Sequence, residues 1–322
     1  MSPNSWTCLH PSNATEAKLS LDNRGLAYGD GFFTTMGVID GQILWLDYHQ
    51  QRLVSHAVAL QLQLDSFSLL TALKTHAKQL QQGMLKLIIT RAEQEVRGYG
   101  YTPNTGGGSA CEIWLKSSPM AITTAQSLPL ANGQFIPLQP AASAICLSSQ
   151  IACLPPPLAG LKSLNRLDNV LASGELNAIK AQAIEANTWQ DNIKPSIAEG
   201  LLRDMSGQWV EGTMSNVFYQ LVEASVAKSS NRPHSLNNSS SNYLTQGQWY
   251  TPSMAQSGVA GVMRQVIIDT LSTSENPVII RSLQDEDLPH LSQLFFCNAL
   301  RGIMPMSSLR LLSGEVMGFE AS

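Results

Sequence analysis

Charge is scarce in this 322-residue chain: 14% of its residues are Asp, Glu, Lys or Arg, against 43% hydrophobic. That balance argues against a disordered chain and describes one that buries a large core in one or two domains. Basic residues are outnumbered 20 to 24, the net charge is −4, and no Lys/Arg run occurs. A nucleic-acid backbone binder needs a basic stripe, so that class is set aside. Cysteines number five (Cys8, Cys111, Cys146, Cys153, Cys297), an odd and scattered set with no C-x-x-C pair. A reduced cytosol fits, whereas a disulfide scaffold or a zinc site does not. The six histidines show no metal-ligand clustering. The start MSPNSWTCLHPSN lacks the basic and apolar regions of a signal peptide. No apolar stretch approaches the ~20 residues that span a bilayer. The expectation is a soluble cytoplasmic protein without a metal, a membrane or a nucleic acid as partner.

What is present centres on Lys162, in Leu161-Lys-Ser-Leu-Asn-Arg-Leu-Asp-Asn169 behind the lead-in Leu154-Pro-Pro-Pro-Leu158-Ala-Gly160. Prolines fix φ and resist helix, which predicts an extended segment up to Gly160. Leu164, Leu167, Val170 and Leu171 then recur at helical spacing, predicting a helix from near Ser163 with that face buried. At such a junction an amine is aimed and partly desolvated. Desolvation lowers an amine's pKa by up to ~3–5 units when complete, and a deprotonated amine is what a Schiff base or a general base requires. A solvated lysine at a helix start gives the same pattern.

A second feature lies in Gln208-Trp-Val-Glu211-Gly-Thr-Met-Ser-Asn216-Val-Phe218. Glu211 closes an apolar strand, where a carboxylate is costly unless paired. Beside a heteroaromatic nitrogen, such a carboxylate keeps the ring protonated, the state in which a pyridoxal cofactor acts as an electron sink. A strand-end glutamate in water is the alternative. Further on, Ser257-Gly258-Val-Ala-Gly261-Val262-Met263-Arg264 places glycines ahead of a helix carrying Val262, Val266, Ile267 and Leu271. Free N–H groups of Val262 and Met263 at such a start suit an anion, although a plain helix start reads the same way. Arg97-Gly98-Tyr99-Gly100 is no dinucleotide loop, because Pro103 stands where a third glycine belongs.

Along the chain the order is α/β. A strand runs from Phe33 to Ile39 and hairpins at Asp40-Gly41 into Gln42–Leu46. Helices follow at about Asp47–Leu62 and Phe67–Gln82, then strands at Met84–Thr90 and Cys111–Lys116. The second half carries strands near 197–203, 209–222, 278–281 and 294–297 and a helix near 261–273. A smaller N-terminal α/β domain is expected at 1–120 and a larger C-terminal domain carrying Lys162 at 135–322, joined by 121–134. Residues 224–247, rich in Ser and Asn, read as a mobile loop. Asn177–Pro195 reads as a long connection.

These segments, with Tyr28-Gly-Asp-Gly31-Phe-Phe33-Thr-Thr35, Gly261-Val-Met-Arg264-Gln265 and His49-Gln-Gln-Arg52-Leu53, resemble the class IV (fold type IV) pyridoxal-phosphate aminotransferase and lyase family over about Leu19–Met306. The resemblance implies two domains with the cofactor between them, in an α/β (α+β) fold, and a homodimer. It implies that Lys162 carries pyridoxal 5′-phosphate and that Glu211 contacts the pyridine nitrogen. Arg52, Val262, Met263, Asn298 and Ala299 would then hold the cofactor. Within the family, Cys297-Asn-Ala-Leu300, Asn165-Arg166-Leu167 and Arg97-Gly98-Tyr99 resemble the lyase branch, which acts on a small cyclic diacid. Arg97, Arg166 and Thr35 are then candidates for substrate contact; for the two arginines, surface charge is the other reading. An aminotransferase of D- or branched-chain amino acids shares the cofactor residues. A non-catalytic cofactor-binding protein is the third reading.

Overall fold

In the computed structural model the described residues are 6–10, 18–103, 108–122, 126–130, 133–185, 197–222 and 244–319. They fall into two compact units: Met1–Ile122 with Leu154–Arg166, and Thr123–Cys153 with Leu167–Ser322.

The first unit is one antiparallel sheet with helices on one face. Its elements are β1 (Trp6–His10), α1 (Arg24–Tyr28), β2 (Gly31–Ile39), β3 (Gln42–Ile43), α2 (Leu46–Ala59), α3 (Ser66–Leu80), β4 (Gly83–Arg91) and β5 (Cys111–Pro119). The strand order is β1-β5-β4-β2-β3. Asp40 and Gly41 both take positive φ (51° and 69°) at the β2–β3 turn, the geometry that joins twisted strands in two residues. α3 starts where Asp65 accepts the Ser68 N–H (3.1 Å) and buries Leu69, Leu73 and Ala77 on one stripe. That stripe and Leu53 of α2 meet Phe32, Met36, Leu85, Leu87 and Ile89 of the sheet. Alternation therefore sends Phe33, Thr35 and Lys86 to the other sheet face.

The second unit comprises β6 (Gln126–Pro129), β7 (Phe135–Leu138), β8 (Ala142–Ile151), α4 (Leu167–Glu185), β9 (Ile197–Asp204), β10 (Trp209–Gly212), β11 (Asn216–Leu221), β12 (Tyr250–Thr251), α5 (Val262–Leu271), β13 (Ile279–Ile280), β14 (Leu291–Asn298), β15 (Gly302–Arg310) and β16 (Val316–Gly318). Strands β8, β9, β10, β11, β14 and β15 pair in a closed ring, because β14 bridges β11 and β15. Period-two alternation sorts their side chains into two cores. Ala144, Cys146, Leu201 and Trp209 enter one, while Ile145, Leu147, Leu202 and Val210 enter the other beneath α4. Among the described residues, no helix is long and apolar enough to cross a membrane.

Three expectations change. Residues 156–159 form a turn, with the Leu158 and Ala159 N–H groups bonded to Pro155 O, so the lead-in curls before Gly160. Helix α4 begins at Leu167, not near Ser163. Its buried face is Ala172 and Leu176 with the half-buried Ile179, while Leu167, Val170 and Leu171 are 79%, 61% and 70% exposed. The helix carries two apolar stripes, and the sheet takes the second. The expected connection over Asn177–Pro195 is helical through Glu185, and 186–196 lie outside the described residues. Of the Ser/Asn-rich stretch, 224–243 also lie outside them. Its end is anchored: Leu244 is buried, and Gln246 O accepts from Gln220 Nε2 (2.6 Å).

Candidate active site

In the first unit Lys162 is held by strand pairing, not by a helix. The Phe33 N–H donates to Lys162 O (3.0 Å) and the Leu164 N–H to Gly31 O (3.0 Å), which lays residues 162–164 against the start of β2. The Lys162 N–H donates to His56 Nε2 at 2.9 Å. Both main-chain groups of Lys162 are thus fixed, and its Nζ lies 4.7 Å from the centre of the Phe33 ring, within cation–π range. Because His56 Nε2 accepts, the ring proton sits on Nδ1, which faces Ser55 Oγ (3.3 Å). Burial, then the charges of Arg52, Lys162 and Arg166, push His56 down to about 3, so it is neutral at physiological pH.

Arg52 lies on the same buried face of α2 as His49 and His56. Burial lowers its guanidinium to about 10, still charged at neutral pH. His49 is fully buried and also pushed down to about 3, by burial and then by Arg52. Its Nδ1 meets Thr34 Oγ1 (2.9 Å), and its Nε2 is buried without a hydrogen bond among the described residues. An orphaned buried nitrogen costs about 1–3 kcal/mol. Together with the surrounding cations, it fits a bound group that brings an anion and hydrogen-bonding atoms, as a phosphorylated cofactor does.

Thr35 is half-buried on the face of Phe33. Its cross-strand partner is Lys86, whose Nζ lies 5.4 Å from the Phe33 ring centre. Two lysine side chains thus share one aromatic ring. Lys86 is absent from the sequence reading, although the alternation of Met84–Thr90 puts it on the open face. Arg166 is half-buried, donates from Nη2 to Leu161 O, and has its Nε buried without a hydrogen bond among the described residues. Arg97 is exposed on the segment after β4. There the Gln94 side chain clasps both main-chain groups of Thr102, and Tyr99 O accepts from Arg24. The structure joins Lys162, Arg52 and Arg166 around His56 and leaves Arg97 at the surface.

In the second unit Glu211 is 3% exposed. Its Oε2 accepts the Val259 N–H (2.8 Å) and its Oε1 faces Asn169 Nδ2 (3.4 Å). Glu211 pairs with Asn216, and Asn216 with Cys297, so one row crosses β10, β11 and β14 and ends beside Asn298. Asn216 Nδ2 donates to Val259 O (2.8 Å), so Glu211 and Asn216 grip both main-chain groups of Val259. Gly261 is then obligatory, since a Cβ there would lie 1.8 Å from Asn216 Oδ1. Gly261 caps α5, with Val262 and Met263 as its first residues; N–H groups at such an end lack partners within the helix and suit an anion. Asn298 Oδ1 accepts from Leu300 N–H (3.1 Å) and Arg301 N–H (2.8 Å), shaping the β14–β15 turn that carries Ala299. Asn169, seven residues after Lys162, went unread in the sequence because only the fold puts α4 beside β10.

A family model described as amino-transferase class IV matches residues 31–309. An aminodeoxychorismate lyase of Vibrio harveyi is 23% identical over 296 residues, 91% of this chain and 88% of that protein. A putative branched-chain-amino-acid aminotransferase of Methanocaldococcus jannaschii is 26% identical over 309 residues, 94% and 87% of the two chains. Among solved structures, 4-amino-4-deoxychorismate lyase from Pseudomonas aeruginosa superposes with a TM-score of 0.67 at 29% identity, covering 95% of this chain and 92% of that one.

Proposed function

The chain belongs to the class IV amino-transferase family of pyridoxal-phosphate enzymes with the fold type IV architecture, and within it we propose that it is a 4-amino-4-deoxychorismate lyase. The reaction yields 4-aminobenzoate, for folate synthesis, and pyruvate. The observation that carries this reading is Lys86, whose ammonium lies 5.4 Å from the Phe33 ring centre on the same sheet face that Lys162 Nζ approaches. A cyclic substrate bearing two carboxylates suits such a face, and an α-amino acid needs less of it. The two lyase relatives support the same choice.

In this reading Lys162 bears the cofactor, Arg52 and the Val262 and Met263 N–H groups hold its phosphate, and Glu211 faces its ring nitrogen. Asn298 and Ala299 complete the cradle. Bound pyridoxal phosphate supplies a protonated heteroaromatic ring that stores an electron pair. Lys162 Nζ, free once the substrate amine has taken its place, takes the proton from the ring carbon bearing that amine. The carbon–oxygen bond to the enolpyruvyl group breaks, and Lys162 Nζ returns a proton to that three-carbon fragment, giving pyruvate. The ring left behind is aromatic, which drives the step. Phe33 and the paired main chain hold the amine in place, and Lys86, Thr35, Arg166 and Arg97 contact the substrate. The working form is a cytoplasmic homodimer. The likeness to a branched-chain aminotransferase favours transamination as the second reading.

Aminodeoxychorismate made in situ from chorismate, glutamine and a synthase tests the proposal, with 4-aminobenzoate followed by fluorescence. Release of 4-aminobenzoate much faster than transamination of D-alanine or leucine is expected. The reverse order replaces the lyase with the aminotransferase.

A further inference from the structure

Glu199 of β9 is 2% exposed, yet it lies outside the cofactor set. Its Oε1 accepts the Thr213 N–H (3.0 Å) and the Thr213 hydroxyl, and also the Gly200 N–H (3.0 Å). Its Oε2 accepts Ser215 Oγ (2.6 Å). A carboxylate offers about four acceptor positions, and four donors meet this one, three at Oε1 and one at Oε2. The carboxylate is therefore a plug inside the turn between β10 and β11, which the Gly212 N–H closes on Ser215 O (2.7 Å). The fit is tight: a Cβ on Gly212 would lie 2.4 Å from Ser215 Oγ and 2.9 Å from Glu199 Cγ and Cδ.

Glu211 and Asn216 stand at the two ends of this turn and together clamp Val259. We propose that Glu199 is a positioning residue, whose buried carboxylate fixes the turn that aims Glu211 and, through Val259, the start of α5. This rests on the reading of Glu211 as partner of the cofactor's ring nitrogen. A glutamine at 199 has nearly the same shape but points an N–H₂ group at the Ser215 or Thr213 donors. The turn would then relax while the core beneath it stays filled.

A double-mutant cycle in the full-length protein, Glu199→Gln with Glu211→Gln, separates positioning from general destabilisation. Two quantities are read: the dissociation constant of pyridoxal phosphate and the pH midpoint of its bound visible absorbance. Glu199→Gln alone is expected to weaken binding about tenfold, the scale of a lost bond to a charged group, and to move the midpoint. In the Glu211→Gln background the same change is expected to add less than about twofold. Equal factors in both backgrounds would overturn the proposal and leave Glu199 a purely structural residue. If Glu211→Gln alone moves neither quantity, the reading of Glu211 falls and this inference with it. Should Glu199→Gln fail to fold, Ser215→Ala, which removes the donor to Oε2, enters the same cycle with the same expectations.

Discussion

Two clusters, one around His56 in the first unit and one around Glu211 in the second, handle buried charge in opposite ways. In the first, the side chains around His56 are cations, Arg52, Lys162 and Arg166, and the two histidines on α2 are held neutral. In the second, buried carboxylates are met by N–H and O–H donors of the protein itself. Glu199 and Glu211 are two such cases, and Asp204 is a third. Burial pushes Asp204 up, yet bonds from Ser206 and Ser257 outweigh it and hold its carboxyl below the ordinary value. The acids are met by the protein's own donors, whereas the cations of the first cluster gather around rings held neutral. We read the first cluster as contributing Arg52 to capture of the anionic group, together with the α5 start of the second unit, and the acids of the second unit as fixing orientation.

The largest expected effect that would break this contrast is in the first cluster. Arg52→Gln is expected to weaken pyridoxal phosphate binding about a hundredfold, since a buried guanidinium makes paired, charge-assisted bonds to phosphate. Titration by fluorescence quenching checks it; a change within twofold would move the phosphate away from α2. Next comes acid sensitivity. His49 and His56 are both depressed to about 3, so the unfolded chain takes up protons near pH 6.5 while the folded one does not. Their contribution to stability is full above about pH 6.5 and is lost as pH falls toward 3, at no more than about 1.4 kcal/mol per pH unit for each ring. His56→Gln keeps an acceptor for the Lys162 N–H and removes one titrating group. Urea midpoints between pH 4 and 7 should therefore fall less steeply in the variant, and identical slopes would show that His56 is not held neutral. The smallest effect concerns substrate alone. Lys86→Met is expected to raise the KM for the diacid about tenfold while cofactor affinity stays unchanged; an unmoved KM would show that no substrate carboxylate reaches Lys86.

How much of this was legible in the sequence varies with how local the cause is. β2, β4, α2 and α3 follow from alternation and from three-to-four spacing, because one face of each meets a single core. β8 escaped because Ala144 and Cys146 face one core and Ile145 and Leu147 another, so no polar alternation marks it. β15 carries Pro305 opposite Phe295, a residue that argues against a strand interior. The segment around Lys162 read as helix because Leu164, Leu167 and Val170 match that period. Its conformation is set instead by pairing with Gly31 and Phe33, about 130 positions away in sequence, which no local pattern contains. Glu211 and the α5 start were legible as residue types in order, whereas Asn169 and Glu199, which hold them, become visible only once α4, β9 and β10 are side by side.

The proposed chemistry turns on Lys162 as the residue that bears the cofactor. Borohydride reduction of the purified protein, followed by peptide mass spectrometry, tests it most directly. A pyridoxyl adduct on Lys162, abolished in Lys162→Ala, is the predicted result. An adduct on Lys86 or Lys180 in place of Lys162 would contradict the account.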